Sequence, residues 1–113
     1  MVEKYDLSSI LIVGCGNLGK RHFQSLLESE VPLNIVLVDP SIEALSECES
    51  LESSKSKIHS IKKLTNLEDL PKLIDLVIIS TNSDVRRDVF IDIIKVSNVK
   101  YILEMEVIIT PKL

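Results

Sequence analysis

The chain has 113 residues, of which 45% are hydrophobic and 27% charged, and its 13 basic and 17 acidic side chains give a net charge of −4. That length holds one domain, and that balance excludes intrinsic disorder, which needs low hydrophobicity together with high net charge. A negative domain repels phosphate backbones and anionic surfaces, so neither nucleic acid nor membrane is expected as a partner.

The opening residues, Met1-Val2-Glu3-Lys4-Tyr5-Asp6, contain no apolar signal core. No apolar run approaches the ~18 residues of a transmembrane helix. The expected location is cytoplasmic. Cys15 and Cys48 are too few for a disulfide framework and fit a reducing compartment.

In chain order, Ser9–Val13 is a short β-branched run of the kind found in strands buried on both faces. Leu18, Phe23, Leu26 and Leu27 then mark a helical stripe. A second strand is expected at 35–38, followed by a helix carrying Ile42, Leu45 and Cys48 and opened by Pro40-Ser41. The polar stretch 50–57 reads as a fraying helix end and a surface loop. A weaker strand candidate covers 58–61, and 67–73, interrupted by Pro71, supports at most a short helix. The run 76–79 is a further strand. Val85, Val89, Phe90, Ile93 and Ile94 give another helix, and 101–103 a last strand. Strands alternating with helices predict an α/β fold, a doubly wound parallel sheet with ligands at the carboxyl ends of the strands.

Gly14-Cys15-Gly16-Asn17-Leu18-Gly19 fits G-x-G-x-x-G and has the required setting, directly after a strand and opening a helix. Gly14 would permit the tight turn, Gly16 would admit a pyrophosphate to the backbone, and Gly19 would let the helix lie against the strand. The helix N-terminus would face the phosphates. Asp39, at the end of the second strand, stands where a carboxylate accepts from both adenosine ribose hydroxyls; capping the next helix is its other reading, and the two are compatible. Pro40, Ser41 and Ile42 offer no arginine to a 2′-phosphate, so NAD(H) is expected over NADP(H). Cys15 reads as a small side chain packed beneath the turn and His22 as a hydrogen-bonded structural histidine. His59 receives no role. No cluster has metal-ligand spacing.

Together with its continuation Lys20-Arg21-His22, the glycine loop resembles that of the Gfo/Idh/MocA oxidoreductases, where an Arg-His or similar pair often follows. Asp75-Leu76-Val77-Ile78-Ile79-Ser80-Thr81-Asn82-Ser83 is similar to that family's fourth strand, which ends in an Ala-Thr-Pro-type turn lining the cofactor. Tyr101-Ile102-Leu103-Glu104 matches the strand leading into its Glu-Lys-Pro signature. The resemblance spans about residues 9–106. It implies one Rossmann-like dinucleotide-binding domain over 1–113. Gly14, Gly16, Asn17, Leu18 and Gly19 would form the pyrophosphate loop, and Asp39 would hold the ribose. Ser80, Thr81 and Asn82 would line the middle of the groove, with Glu104 near the nicotinamide.

Two departures temper the implied activity. Met105 stands at the family's lysine position and Glu106 at its proline; methionine can neither donate a charged hydrogen bond nor relay a proton. The chain also ends at Leu113, where the family's second α/β domain, which supplies the substrate pocket, would begin. The expectation is an NAD(H)-binding domain without catalytic residues of its own. It would serve a dehydrogenase of sugar or polyol derivatives only where a second domain supplies the substrate site. The alternative is a stand-alone nucleotide-sensing module like the cytoplasmic domains that gate potassium transport; a methyltransferase is a third option. A homodimer covering an exposed sheet edge is a further expectation for so small a core.

Overall fold

The structure, a computed structural model, describes residues 8–104. Five strands form one parallel sheet: β1 (Ser9–Val13), β2 (Asn34–Val38), β3 (Ser60–Leu64), β4 (Leu73–Ile79) and β5 (Asn98–Glu104), in the order β3-β2-β1-β4-β5. Three α-helices accompany them, α1 (Asn17–Leu27), α2 (Ile42–Glu49) and α3 (Ser83–Val96). The strands deepest in the sheet are the continuous apolar runs, and in β1 every residue from Ile10 to Val13 is buried. A strand covered on both faces leaves no room for polar alternation.

The helices take the two faces unequally. Phe23 and Leu27 of α1 and Leu45 and Cys48 of α2 pack on Ile10, Ile12, Ile35 and Leu37. On the opposite face Ile93 of α3 is fully buried among Leu11, Val36, Val77 and Ile79. The sheet is therefore doubly wound. Its sense reverses between β1, whose chain leaves toward β2, and β4, whose chain leaves toward β5. Such a switch point opens a crevice at the strands' carboxyl ends.

Two expectations change. The weak strand lies later than 58–61, at Ser60–Leu64, after a 3-10 turn over Ser54–Ile58 that occupies part of the expected loop. It carries Lys62 and Lys63 because it is an edge strand, where exposed charge is tolerated and discourages pairing with other chains. The short helix at 67–73 is not formed. Asn66 Oδ1 accepts from the Glu68 N–H at 2.8 Å, Leu70 is buried, and β4 already begins at Leu73. Pro71 cannot donate to a helical ladder. The β3–β4 connection is thus an irregular strap, tied to the end of α3 by the Ser97 hydroxyl, which donates to the Pro71 carbonyl at 2.6 Å.

His59 precedes β3 and is buried. Its Nδ1 accepts from the Leu33 N–H at 3.1 Å, which leaves Nε2 to donate toward the Leu27 carbonyl at 3.3 Å. It joins the end of α1 to the start of β2, a structural role.

Candidate functional site

Register gathers the predicted residues. Val13 pairs with Val38 on one side and Ile79 on the other, Val38 pairs with Leu64, and Ile79 with Glu104. All five strands end in one row, so the segments following β1, β2, β3 and β4 emerge side by side.

After β1 the chain turns at Gly14, whose φ of +95° belongs to the region that favours glycine. A Cβ there would lie 3.0 Å from the Ser80 carbonyl carbon and 3.1 Å from Thr81 Cγ2, so the turn touches the segment leaving β4. Gly19 is closer still: its Cβ would sit 1.8 Å from the Gly14 carbonyl oxygen. Gly16 is different. Nothing lies within 4 Å of where its Cβ would be. Gly16 also caps α1 and contributes no side chain to the cap, and no acidic residue stands in the first turn. The first-turn N–H groups, at Asn17, Leu18 and Gly19, have no intrahelical partner. Three glycines thus do three different things, and only Gly16 leaves space for a ligand.

Asp39 follows β2 and is held from both sides. Its Oδ2 accepts from the Cys15 N–H at 2.7 Å and its Oδ1 from the Ser41 N–H at 2.8 Å. Capping of α2 falls to Ser41, whose hydroxyl accepts from the Ala44 N–H at 3.1 Å. Asp39 therefore fastens the glycine loop to the β2–α2 turn, and an ionised carboxylate with about four lone-pair sites still has acceptors to spare. Beneath it Cys15 and Cys48 are fully buried in one cluster. Burial pushes both thiols up, Cys15 far above the ordinary range. At the surface, Lys20 of α1 pairs with Glu47 of α2, whose hydrogen bond raises the lysine pKa.

After β4, the Ser80 N–H donates to the Val13 carbonyl at 2.8 Å, and Asn82 caps α3 without a side-chain hydrogen bond. Ser80 Oγ is buried and has no partner among the described residues. Arg86 Nη2 donates to the Thr81 carbonyl at 3.2 Å.

These segments frame a cleft of about 770 Å³ lined by Gly14, Gly16, Asp39, Ser80 and Thr81, a volume ordinary for a cofactor or ligand site. Thr65 and Leu67 from the strap and Val85 and Val89 from α3 complete it. Sequence reasoning assigned none of those four to the site. For Thr65 and Leu67 the signal was position just past β3, obscured by placing that strand too early; Val85 and Val89 were read only as part of a helical stripe. Among the described residues lining the cleft, Lys95 is the only cation, in the last turn of α3. Asn17 and Leu18 are exposed at the start of α1, and His22 is half-buried farther along it. Glu104 closes β5 in the row of strand ends. Met105 and Glu106 lie outside the described residues.

The described residues contain no group of three His, Cys, Asp or Glu that could hold a metal ion, and no helix long and apolar enough to cross a membrane. The cradle fits a dinucleotide on its own geometry: the space at Gly16 would be filled by a Cβ, and the Asp39 carboxylate faces the same cleft.

Comparison with known proteins agrees. Among solved structures, the fold is similar to that of a diketoreductase that catalyses reactions of dicarbonyl compounds (TM-score 0.65, 18% identity, covering 86% of this chain and 40% of that one). It is also similar to SirC, a precorrin-2 dehydrogenase (TM-score 0.51, 22% identity, covering 90% of this chain and 47% of that one). The chain thus spans less than half the length of either. A search of curated proteins gave no match. The model of the Gfo/Idh/MocA oxidoreductase family's NAD-binding Rossmann fold matches residues 8–105, which includes the whole described region. With its switch-point cleft, glycine loop and matched sequence, this chain belongs to the Gfo/Idh/MocA family as an NAD-binding Rossmann domain.

Proposed function

We propose that this domain binds NAD(H) in preference to NADP(H), and that the carboxylate of Asp39 carries the preference. Its two oxygens are already oriented by the Cys15 and Ser41 N–H groups, so a ribose would meet a fixed acceptor. A hydrogen bond to a charged group is worth about 1.5–3 kcal/mol, tenfold or more in affinity. A 2′-phosphate would instead face a like charge. The cleft's one described cation, Lys95, belongs to the final turn of α3 rather than to the β2–α2 turn.

The pyrophosphate would lie in the open space at Gly16, against the N-terminal N–H groups of Asn17, Leu18 and Gly19. Ser80, Thr81 and Asn82 would line the middle of the cofactor, and Glu104 would stand near the nicotinamide. The bound dinucleotide supplies hydride transfer, by family resemblance with a sugar or polyol derivative. We infer that this chain contributes the cofactor half of such a reaction. With Met105 at the family's lysine position, it has no proton relay there and turns over no substrate alone. A cytoplasmic location fits this role, as does a homodimer across the β5 edge, where Tyr101, Ile102 and Leu103 are exposed. The family match favours this reading over a potassium-transport-type sensor.

Calorimetric titration with NADH and NADPH, on the parent chain and Asp39→Ala, tests the proposal. NADH should bind at least tenfold more tightly than NADPH, and the variant should level the two. A folded chain that binds neither nucleotide, or both equally, would overturn it.

A further inference from the structure

Arg86 stands in an electrostatically poor place. It lies in the early part of α3, where the helix dipole favours anions and a cation opposes it. One contact that holds it there is a hydrogen bond to the β4–α3 turn. The first turn of α3 leaves the Thr81 carbonyl unused, because the Val85 N–H bonds the Asn82 carbonyl at 3.2 Å. Asn82, the cap residue, makes no side-chain capping hydrogen bond. The guanidinium supplies the fastening instead, with Nη2 3.2 Å from the Thr81 carbonyl oxygen.

On its inner side the turn so held lies too near the glycine loop to admit a side chain there. A Cβ on Gly14 would lie 3.0 and 3.1 Å from the carbonyl carbon and oxygen of Ser80, and 3.1 Å from Thr81 Cγ2. Ser80, Thr81 and Gly14 all line the cleft. The Ser80 N–H also bonds the Val13 carbonyl at 2.8 Å, so a displacement of this turn is felt at the start of the glycine loop.

We propose that Arg86 is a positioning residue of the dinucleotide site, acting through the Thr81 carbonyl to hold the β4–α3 turn against the glycine loop. The inference rests on the dinucleotide reading and deepens it. Arg86 is not among the residues that line the cleft. It sets the wall past which the pyrophosphate and the nicotinamide half must run, while the adenosine half is held separately by Asp39. A lysine could place a donor near the same carbonyl, yet it lacks the rigid planar fork and would hold the turn less firmly.

The test compares the parent chain with Arg86→Met and Arg86→Lys, by NADH fluorescence titration, AMP displacement and thermal melting. Arg86→Met should weaken NADH by about tenfold and AMP by about twofold or less, with the melting temperature moved by no more than about 3 °C. Arg86→Lys should recover part of the NADH affinity. Equal losses for NADH and AMP with a lower melting temperature would make Arg86 merely structural and overturn the inference. Unchanged NADH affinity in Arg86→Met would overturn it too, leaving the dinucleotide reading intact. A parent chain that binds neither NADH nor AMP would overturn both.

Discussion

The helix α1 lies against its own entry turn so closely that a methyl group on Gly19 would stand 1.8 Å from the Gly14 carbonyl oxygen, whereas one on Gly16 would meet nothing within 4 Å. The two substitutions should therefore separate folding from binding. Gly19→Ala must push backbone away from backbone, and overpacking of that kind costs about 3 kcal/mol, near the top of its usual range. Gly16→Ala should stay within about 1 kcal/mol of the parent and lose about tenfold or more in NADH affinity. Urea unfolding and NADH titration of the pair read both effects; a stable Gly19→Ala would contradict the packing described here.

Asp39 serves the fold before it serves a ligand. Asp39→Ala leaves the N–H groups of Cys15 and Ser41 without their acceptors. The expected loss is about 1–3 kcal/mol in the absence of any nucleotide. Asp39→Asn keeps one acceptor oxygen and should lose less. Urea midpoints of the nucleotide-free proteins give the comparison, and equal midpoints for all three would argue against the anchoring role.

Asp75 makes stability depend on acid. Burial opposes its charge, but the N–H groups of Ser9 and Ser8, each 3.0 Å from Oδ2, outweigh that effect with help from Lys100 at 3.8 Å. The carboxyl is held below its ordinary value of 3.8. A depressed carboxyl contributes stability that is fully present above the unfolded value and is lost as the pH falls through the folded one. Melting temperatures should hold between about pH 7 and 5, then fall below about pH 4. In Asp75→Asn the neutral-pH value should drop and the acid-side decline should be shallower. An unchanged acid-side decline would assign the sensitivity to other carboxylates.

Cys15 and Cys48 should be chemically quiet. Both are fully buried and both thiols are pushed up by burial, so little thiolate is available at neutral pH. A thiol reagent such as Ellman's should label neither in the folded chain over minutes at pH 8, and both in guanidinium. Rapid labelling of the native protein would mean that the glycine loop opens readily.

The strands buried on two faces were legible because continuous β-branched runs have few other uses, and β1 coincides with its expected span, Ser9–Val13. Edges were harder. β3 carries Lys62 and Lys63 and shows no hydrophobic run, since an edge strand need bury little, and its displacement also hid Thr65 and Leu67 in the cleft wall. The strap at 67–73 misled because leucines spaced for a helix instead anchor an irregular segment, Leu70 buried and Leu67 packed partly against the same core, between an Asn66 turn and Pro71. At the candidate site, Gly14 and Gly19 were legible because a positive φ and a close backbone approach restrict which residues can stand there, and Asp39 by its place at the end of β2. The bond from Arg86 to the Thr81 carbonyl was not, because no side-chain pattern announces a main-chain acceptor.

The double tether on Asp39 also sets the terms for any redesign of cofactor choice. A change of that one side chain to favour a phosphorylated ribose strips two main-chain amides of their acceptor along with the unwanted negative charge. A workable variant has to keep a short oxygen-bearing side chain at position 39, such as serine, and place its new cation elsewhere on the β2–α2 turn. On the NAD(H)-preferring reading proposed above, a change of cofactor would call for coordinated substitution at neighbouring positions rather than a single exchange, because the same carboxylate holds two main-chain amides.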